Sequence, residues 1–125
     1  MNIINNNYRK FTDLTIEQIT ELQKQYGVSD TQEGINNGDI WKFEGSVGRF
    51  AANCIDNGVC MLPEETTYDY YNNKIMTREE AKINGVSSGT LENAQKFWEQ
   101  VDCGDYEVIE MLKSMFGSPE YEEEQ

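Results

Sequence analysis

The stretch Ser46-Val47-Gly48-Arg49-Phe50-Ala51-Ala52-Asn53-Cys54-Ile55-Asp56-Asn57-Gly58 decides the fold. Val47, Phe50, Ala51, Cys54 and Ile55 recur at i, i+3, i+4, i+7 and i+8, which places them on one face of an α-helix. Ser46 is a good N-cap, because its hydroxyl can accept from a free backbone N–H of the first turn. Gly58 takes the left-handed conformation that ends helices at little cost. The segment therefore predicts an amphipathic helix whose apolar face other elements must cover.

Working towards the N-terminus, Thr15-Ile-Glu-Gln18 has the form of a capping box. Ile16, Ile19, Leu22 and Tyr26 then share one helical face, and Gly27 supplies the stop. Ser29 to Gly38 is polar and reads as a connection, with Asn36-Asn37-Gly38 as its turn. Ile40, Trp41, Lys42 and Phe43 form a short aromatic segment, either a strand or the start of the next helix. Towards the C-terminus, Val59-Cys60-Met61-Leu62 is a short buried run closed by Pro63. Glu64 to Asn73 reads as a tyrosine-rich loop or hairpin with Asn72-Asn73 at the turn. Thr77-Arg-Glu-Glu80 is a second capping box, opening a short helix that stops at Gly85. Thr90 caps a helix carrying Leu91, Ala94, Trp98 and Val101. Asp105 caps a last one with Val108, Ile109, Met111, Leu112, Met115 and Phe116, terminated by Gly117 and Pro119. The expectation is a mainly α fold of about five short helices in a single compact domain over 1–117, with room for one small β-hairpin. An acidic tail follows at 118–125. Phe50, Ile55, Leu91, Trp98, Leu112 and Phe116 are the expected core.

Composition limits the chemistry. The 125 residues carry 23 Asp and Glu against 10 Lys and Arg, with no histidine, for a net charge of −13. Charge of this sign repels phosphates and anionic membranes and attracts basic surfaces. With no histidine base, no GxSxG and no phosphate-binding loop of the P-loop type, we expect no catalytic residues, no cofactor and no enzyme. Gly45-Ser-Val-Gly48 reads as a turn and N-cap in preference to an anion site. Cys54, Cys60 and Cys103 are odd in number and lack CxxC spacing, so reduced thiols are expected ahead of a metal centre. A zinc site here would need a carboxylate or a second chain as its fourth ligand. Residues 1–7 show neither a basic n-region nor an apolar run, and no segment approaches a membrane span, so a cytoplasmic location is expected.

Three stretches are candidates for function. Between Glu99 and Glu124 nine carboxylates face one cation, Lys113. Glu99 and Asp102 are three apart, as are Glu107 and Glu110, so each pair is expected on one exposed helix face. Such neighbours are spaced much like successive phosphates, which would let a helix occupy a groove built for nucleic acid. The alternative is a solvated face with a tail kept for solubility. Glu64, Glu65 and Asp69 lie among Tyr68, Tyr70 and Tyr71, a composition suited to protein recognition or to a hairpin packing its own core. Thr77 to Ala94 resembles a helix-turn-helix unit, with Ala81 at the helix contact, Gly85 at the turn and Val86, Leu91 and Ala94 in its small core. Its second helix offers Glu92, Asn93 and Gln95 with only Lys96 positive, a poor set for reading DNA, and two consecutive helices with a tight turn is the simpler reading.

Met61-Leu62-Pro63-Glu64-Glu65 is similar to a five-residue piece of the uracil-DNA glycosylase inhibitor, an acidic phage protein that fills a DNA-binding cleft; the rest of the chain does not follow. In size and acidity the whole chain resembles the small counter-defence proteins of phages and mobile elements, of the anti-CRISPR or antirestriction type. That resemblance implies an inhibitor in the cytoplasm of an infected or element-carrying bacterium. Its partner would be a basic nucleic-acid-binding host protein, such as a CRISPR effector nuclease, and it would bind neither nucleic acid nor membrane directly. Glu99, Asp102, Glu107 and Glu110 would lead the contact, with Glu64, Glu65, Asp69 and Tyr68 secondary. The rival is a small helix-turn-helix regulatory or accessory protein, for which Arg9, Lys10, Lys24, Arg49, Arg78, Lys82 and Lys96 would have to converge.

Overall fold

Both capping boxes close as the sequence predicts. Thr15 Oγ1 accepts from the Gln18 N–H at 3.1 Å and Gln18 Oε1 accepts from the Thr15 N–H at 2.8 Å. The Thr77 and Glu80 pair repeats the arrangement at 3.1 and 3.0 Å. Thr90 accepts from the Asn93 N–H and Asp105 from the Val108 N–H, so four helices start where their side chains allow.

The computed structural model describes residues 14–43 and 45–117; residues 1–13 and the acidic tail expected at 118–125 lie outside the described residues. The described chain is mainly helical, running α1 (Ile16–Gln25), α2 (Ser29–Asn37), a 3-10 turn (Asp39–Lys42), α3 (Gly45–Asn57), β1 (Thr67–Tyr68), β2 (Lys74–Ile75), α4 (Arg78–Ile83), α5 (Leu91–Asp102) and α6 (Tyr106–Phe116). The two strands pair antiparallel, Thr67 opposite Ile75 and Tyr68 opposite Lys74. Helix α5 packs against α1 and α6, while the 3-10 turn packs against α2 and α3.

Three local expectations change. Ser29 to Gly38, expected as a polar connection, is helix α2. Its inward side holds only Ile35 and the amide of Gln32, too few apolar residues for periodicity to register. Ile40 to Phe43 is neither strand nor the start of α3, because Ile40 turns inward within the 3-10 turn and Phe43 is left exposed. Helix α3 begins at Gly45, so Ser46 sits inside its first turn rather than at the N-cap.

The core gathers Ile19, Val28, Ile35, Ala51, Cys54, Ile55, Ala94, Trp98 and Leu112. Phe50, Leu91 and Phe116, expected inside, are only partly buried and cover its edge. Phe50 meets Phe116 edge-on, with centroids 5.3 Å apart.

Val59 to Met61 runs through the interior, which would strand its peptide groups without partners. Side-chain amides resolve this. Gln32 Oε1 accepts from the Met61 N–H at 2.8 Å, and its Nε2 donates to the Met61 carbonyl at 2.9 Å and to Asn36 Oδ1 at 3.0 Å. Gln23 Nε2 donates to Gln32 Oε1 and to the Val59 carbonyl, both at 3.0 Å. The indole N–H of Trp98 also donates to Val59, at 3.1 Å. One polar network thus ties α1, α2, the buried loop and α5 together.

Gly89 closes the other side of this loop, its carbonyl accepting from the Leu62 N–H at 3.0 Å. It has φ +85, and a Cβ there would lie 2.5 Å from Leu62 Cγ. Gly89→Ala therefore combines left-handed strain with overpacking and should cost about 2–3 kcal/mol in urea unfolding. Gly27→Ala, at φ +80 with nothing within 4 Å, is the control and should cost only about 1 kcal/mol. Equal losses would mean that Leu62 yields freely.

Candidate functional site

The tyrosine-rich segment is held as a hairpin by Asp69. Its Oδ1 accepts from the N–H groups of Tyr71 and Asn73, each at 2.8 Å, and Asn73 Nδ2 donates to its Oδ2 at 3.3 Å. Asn72 adopts φ 68, the left-handed conformation that asparagine tolerates, which closes the turn at the expected position. The Asn73 and Tyr71 N–H bonds, with Asn73 foremost, hold the Asp69 carboxyl below its ordinary range against the opposing effect of desolvation. A charged carboxylate therefore sits under the hairpin tip.

The tip carries its rings into solvent. Tyr70 is 70% and Tyr71 78% exposed, the two rings edge-on with centroids 5.1 Å apart. Tyr68, on β1, is half exposed. Opposite Tyr70 and Tyr71 stand Trp41 in the 3-10 turn and Phe43 just after it, Phe43 being 63% exposed. Between the two elements lies an open cleft of about 450 Å³, lined also by Asp69, Ile75, Lys42, Gly45 and Gly48. Gly38 sets the approach: a Cβ there would lie 2.9 Å from Thr67 Cβ, so only glycine lets the end of α2 meet β1 this closely.

The second candidate is the acidic elbow between α5 and α6. Asp102 is exposed at the end of α5, Asp105 caps α6, and Glu107 and Glu110 are exposed one turn apart on α6. Tyr106 beside them is also exposed. Glu110 lies 3.6 Å from Lys113, whereas Glu107 forms no ion pair among the described residues.

Glu99 corrects the expectation. It is buried, at 1% exposure, and accepts from the Cys103 thiol at 3.5 Å. The cause is that α5 is covered on more than its apolar stripe. Gln95, one turn earlier, is buried as well and donates to the Leu14 carbonyl at 2.8 Å. Glu99 and Asp102 therefore share no exposed face, and Glu99 cannot lead a surface contact.

Glu64 and Glu65 are exposed, but Glu64 is 3.6 Å from Arg78 and belongs to a different cleft, of about 320 Å³, lined with Arg78, Glu79, Lys82 and Glu92. The sequence-predicted residues thus fall into three groups: Asp102, Glu107 and Glu110 at the elbow, Asp69 and Tyr68 on the hairpin, and Glu64 and Glu65 beside α4. Trp41 and Phe43 were missed. The only signal was an apolar segment with two large rings whose strand or helix period could not be assigned.

In the helix-turn-helix segment Ala81 and Ala94 are buried as expected, but Val86 is 40% exposed. Its cations are engaged within the chain. Arg78 Nε donates to the Leu62 carbonyl at 2.8 Å and Lys82 pairs with Glu92 at 3.0 Å. Arg9 and Lys10 lie outside the described residues. Cys54 and Cys60 are buried together, and the hydrogen bond to Cys54, with burial, pushes the Cys60 thiol up. Cys103 is exposed, and no three Cys, Asp or Glu side chains group to hold a metal among the described residues. No helix among the described residues is long and apolar enough to cross a membrane. Comparison with family models, curated proteins and solved structures finds no match to this chain.

Proposed function

We propose that the protein is an acidic inhibitor that seats its α5–α6 elbow on the basic, nucleic-acid-binding surface of a host nuclease or defence effector, such as a CRISPR effector. The observation that carries this reading is the unbalanced charge of an ordered surface. The chain has a net charge of −13, and Lys74, Arg78, Lys82 and Lys113 already pair with its own carboxylates. The described residues keep an excess of carboxylates over cations, and part of it sits on the fixed geometry of Asp102, Asp105 and Glu107, with Glu110 beside them paired to Lys113. A rigid carboxylate array steers a basic partner and presents its charge without first losing chain entropy. Engagement of Arg78 and Lys82 with internal partners weighs against the helix-turn-helix alternative, since phosphate contacts supply most DNA affinity.

The test is competition on a purified effector nuclease, with and without its guide or substrate nucleic acid. Binding should be fast, salt-dependent and blocked by pre-loading. The double reversal Glu107→Lys/Glu110→Lys should weaken it by about tenfold or more while leaving the circular dichroism spectrum unchanged. Equal binding to loaded and empty effector, with no effect of the reversals, would rule the reading out.

A further inference from the structure

A soluble chain rarely leaves four large rings around one open cleft without an occupant for them. Here Tyr70, Tyr71 and Phe43 are largely exposed and Trp41 forms part of the wall. Apolar contact alone would suit any greasy side chain, but the electrostatics narrow the choice. Asp69 stays ionised at the base of the hairpin, and the molecule as a whole carries −13. Aromatic faces are themselves electron-rich and attract cations placed over them. Lys42 is the single cation among the lining residues, and its side chain is exposed on a flexible stem.

We propose that this cleft is a docking site for an arginine side chain on a basic segment of a partner protein. Arginine fits better than lysine because its flat, weakly hydrated guanidinium can lie against a ring while its edge hydrogen-bonds a carboxylate. The two neighbouring tyrosines, held edge-on, offer one ring face and one ring edge, so a planar group can stack on one while its stem packs on the other. Gly48 leaves its part of the cleft wall without a side chain, which makes room for the aliphatic stem, whereas the guanidinium of the chain's own Arg49 lies against Gly45. The site is separate from the elbow in residues and in chemistry, and it holds whatever the identity of the partner.

The test uses the full chain and two capped tetrapeptides, acetyl-Gly-Arg-Arg-Gly-amide and its lysine counterpart. Binding is followed by the NMR shifts of the Trp41 indole and the tyrosine rings. Saturable shifts confined to Trp41, Phe43, Tyr70 and Tyr71 are expected, several-fold tighter for arginine than for lysine. Tyr70→Ala/Tyr71→Ala should weaken the arginine peptide about tenfold, because both rings are exposed and their loss leaves the core intact. Glu107→Lys/Glu110→Lys should leave the cleft shifts in place, so failure of the elbow reading and failure of this one are told apart. Three outcomes would overturn the proposal. Equal binding of arginine and lysine that survives the tyrosine double variant would mark diffuse charge attraction. Equal binding of an uncharged leucine tetrapeptide would mark a general apolar groove. Shifts of the same residues with protein concentration alone would mark a second copy as the occupant.

Discussion

Trp98→Ala should remove a large share of the protein's stability. The side chain is fully buried, packs edge-on against Phe97 at 5.1 Å and lies 6.2 Å from Tyr26, centroid to centroid. Truncating a buried indole costs about 3–5 kcal/mol, mostly through the cavity left behind. Here the Val59 carbonyl also loses one of its two donors. A domain of this size has about 5–15 kcal/mol in total, so the variant should show a much lower urea midpoint or no transition at all. Trp98→Phe keeps most of the volume but not the N–H, and should recover most of the loss. An unfolding free energy within about 1 kcal/mol of wild type for the alanine variant would mean that the core closes around the gap.

Gln32→Ala is expected to be nearly as damaging, although glutamine is not an ordinary core residue. It would leave the N–H and the carbonyl of Met61 without their partners, and Gln23 without one of its acceptors. Each buried group so exposed costs about 1–3 kcal/mol, so a loss of about 3–5 kcal/mol is expected unless water enters. Gln32→Met separates the causes: it restores volume and no hydrogen bond, and should remain close to the alanine variant. Gln32→Glu keeps the acceptor for Met61 but loses the donor, and its loss should grow as the carboxylate ionises in the interior. Rescue by methionine would show that packing, not the amide, holds the loop.

The elements that were legible in the sequence are those with their own stop and start signals. Thr15, Thr77, Thr90 and Asp105 act on neighbours three residues away, so their effect can be read locally. Helix α2 could not be read this way, because what fixes it is a bond from Gln32 to a backbone 29 residues further on. The same reason hid the burial of Glu99. Periodicity marks the apolar stripe of a helix but says nothing of whether a second neighbour covers another side. Of the candidate site, the carboxylates of the elbow and the tyrosines of the hairpin were visible as residue types. Their grouping was not, since Phe43 and Tyr71 meet one cleft only through the approach of α2 to β1 at Gly38.

The glutamine-braced loop also bears on how the molecule assembles. Gln95 reaches Leu14 across 81 residues, and Gln23 reaches Val59 across 36. Contacts this distant in the chain are entropically dear to close, and they slow folding relative to a bundle held by neighbouring helices. A nine-residue α2 with little apolar surface has no reason to persist until residues 59–61 arrive beside it. The segment Ser29–Asn37 should thus form late and all at once with the interior loop. Because the 3-10 turn continues from α2, the aromatic wall of Trp41 and Phe43 takes shape only in the finished fold.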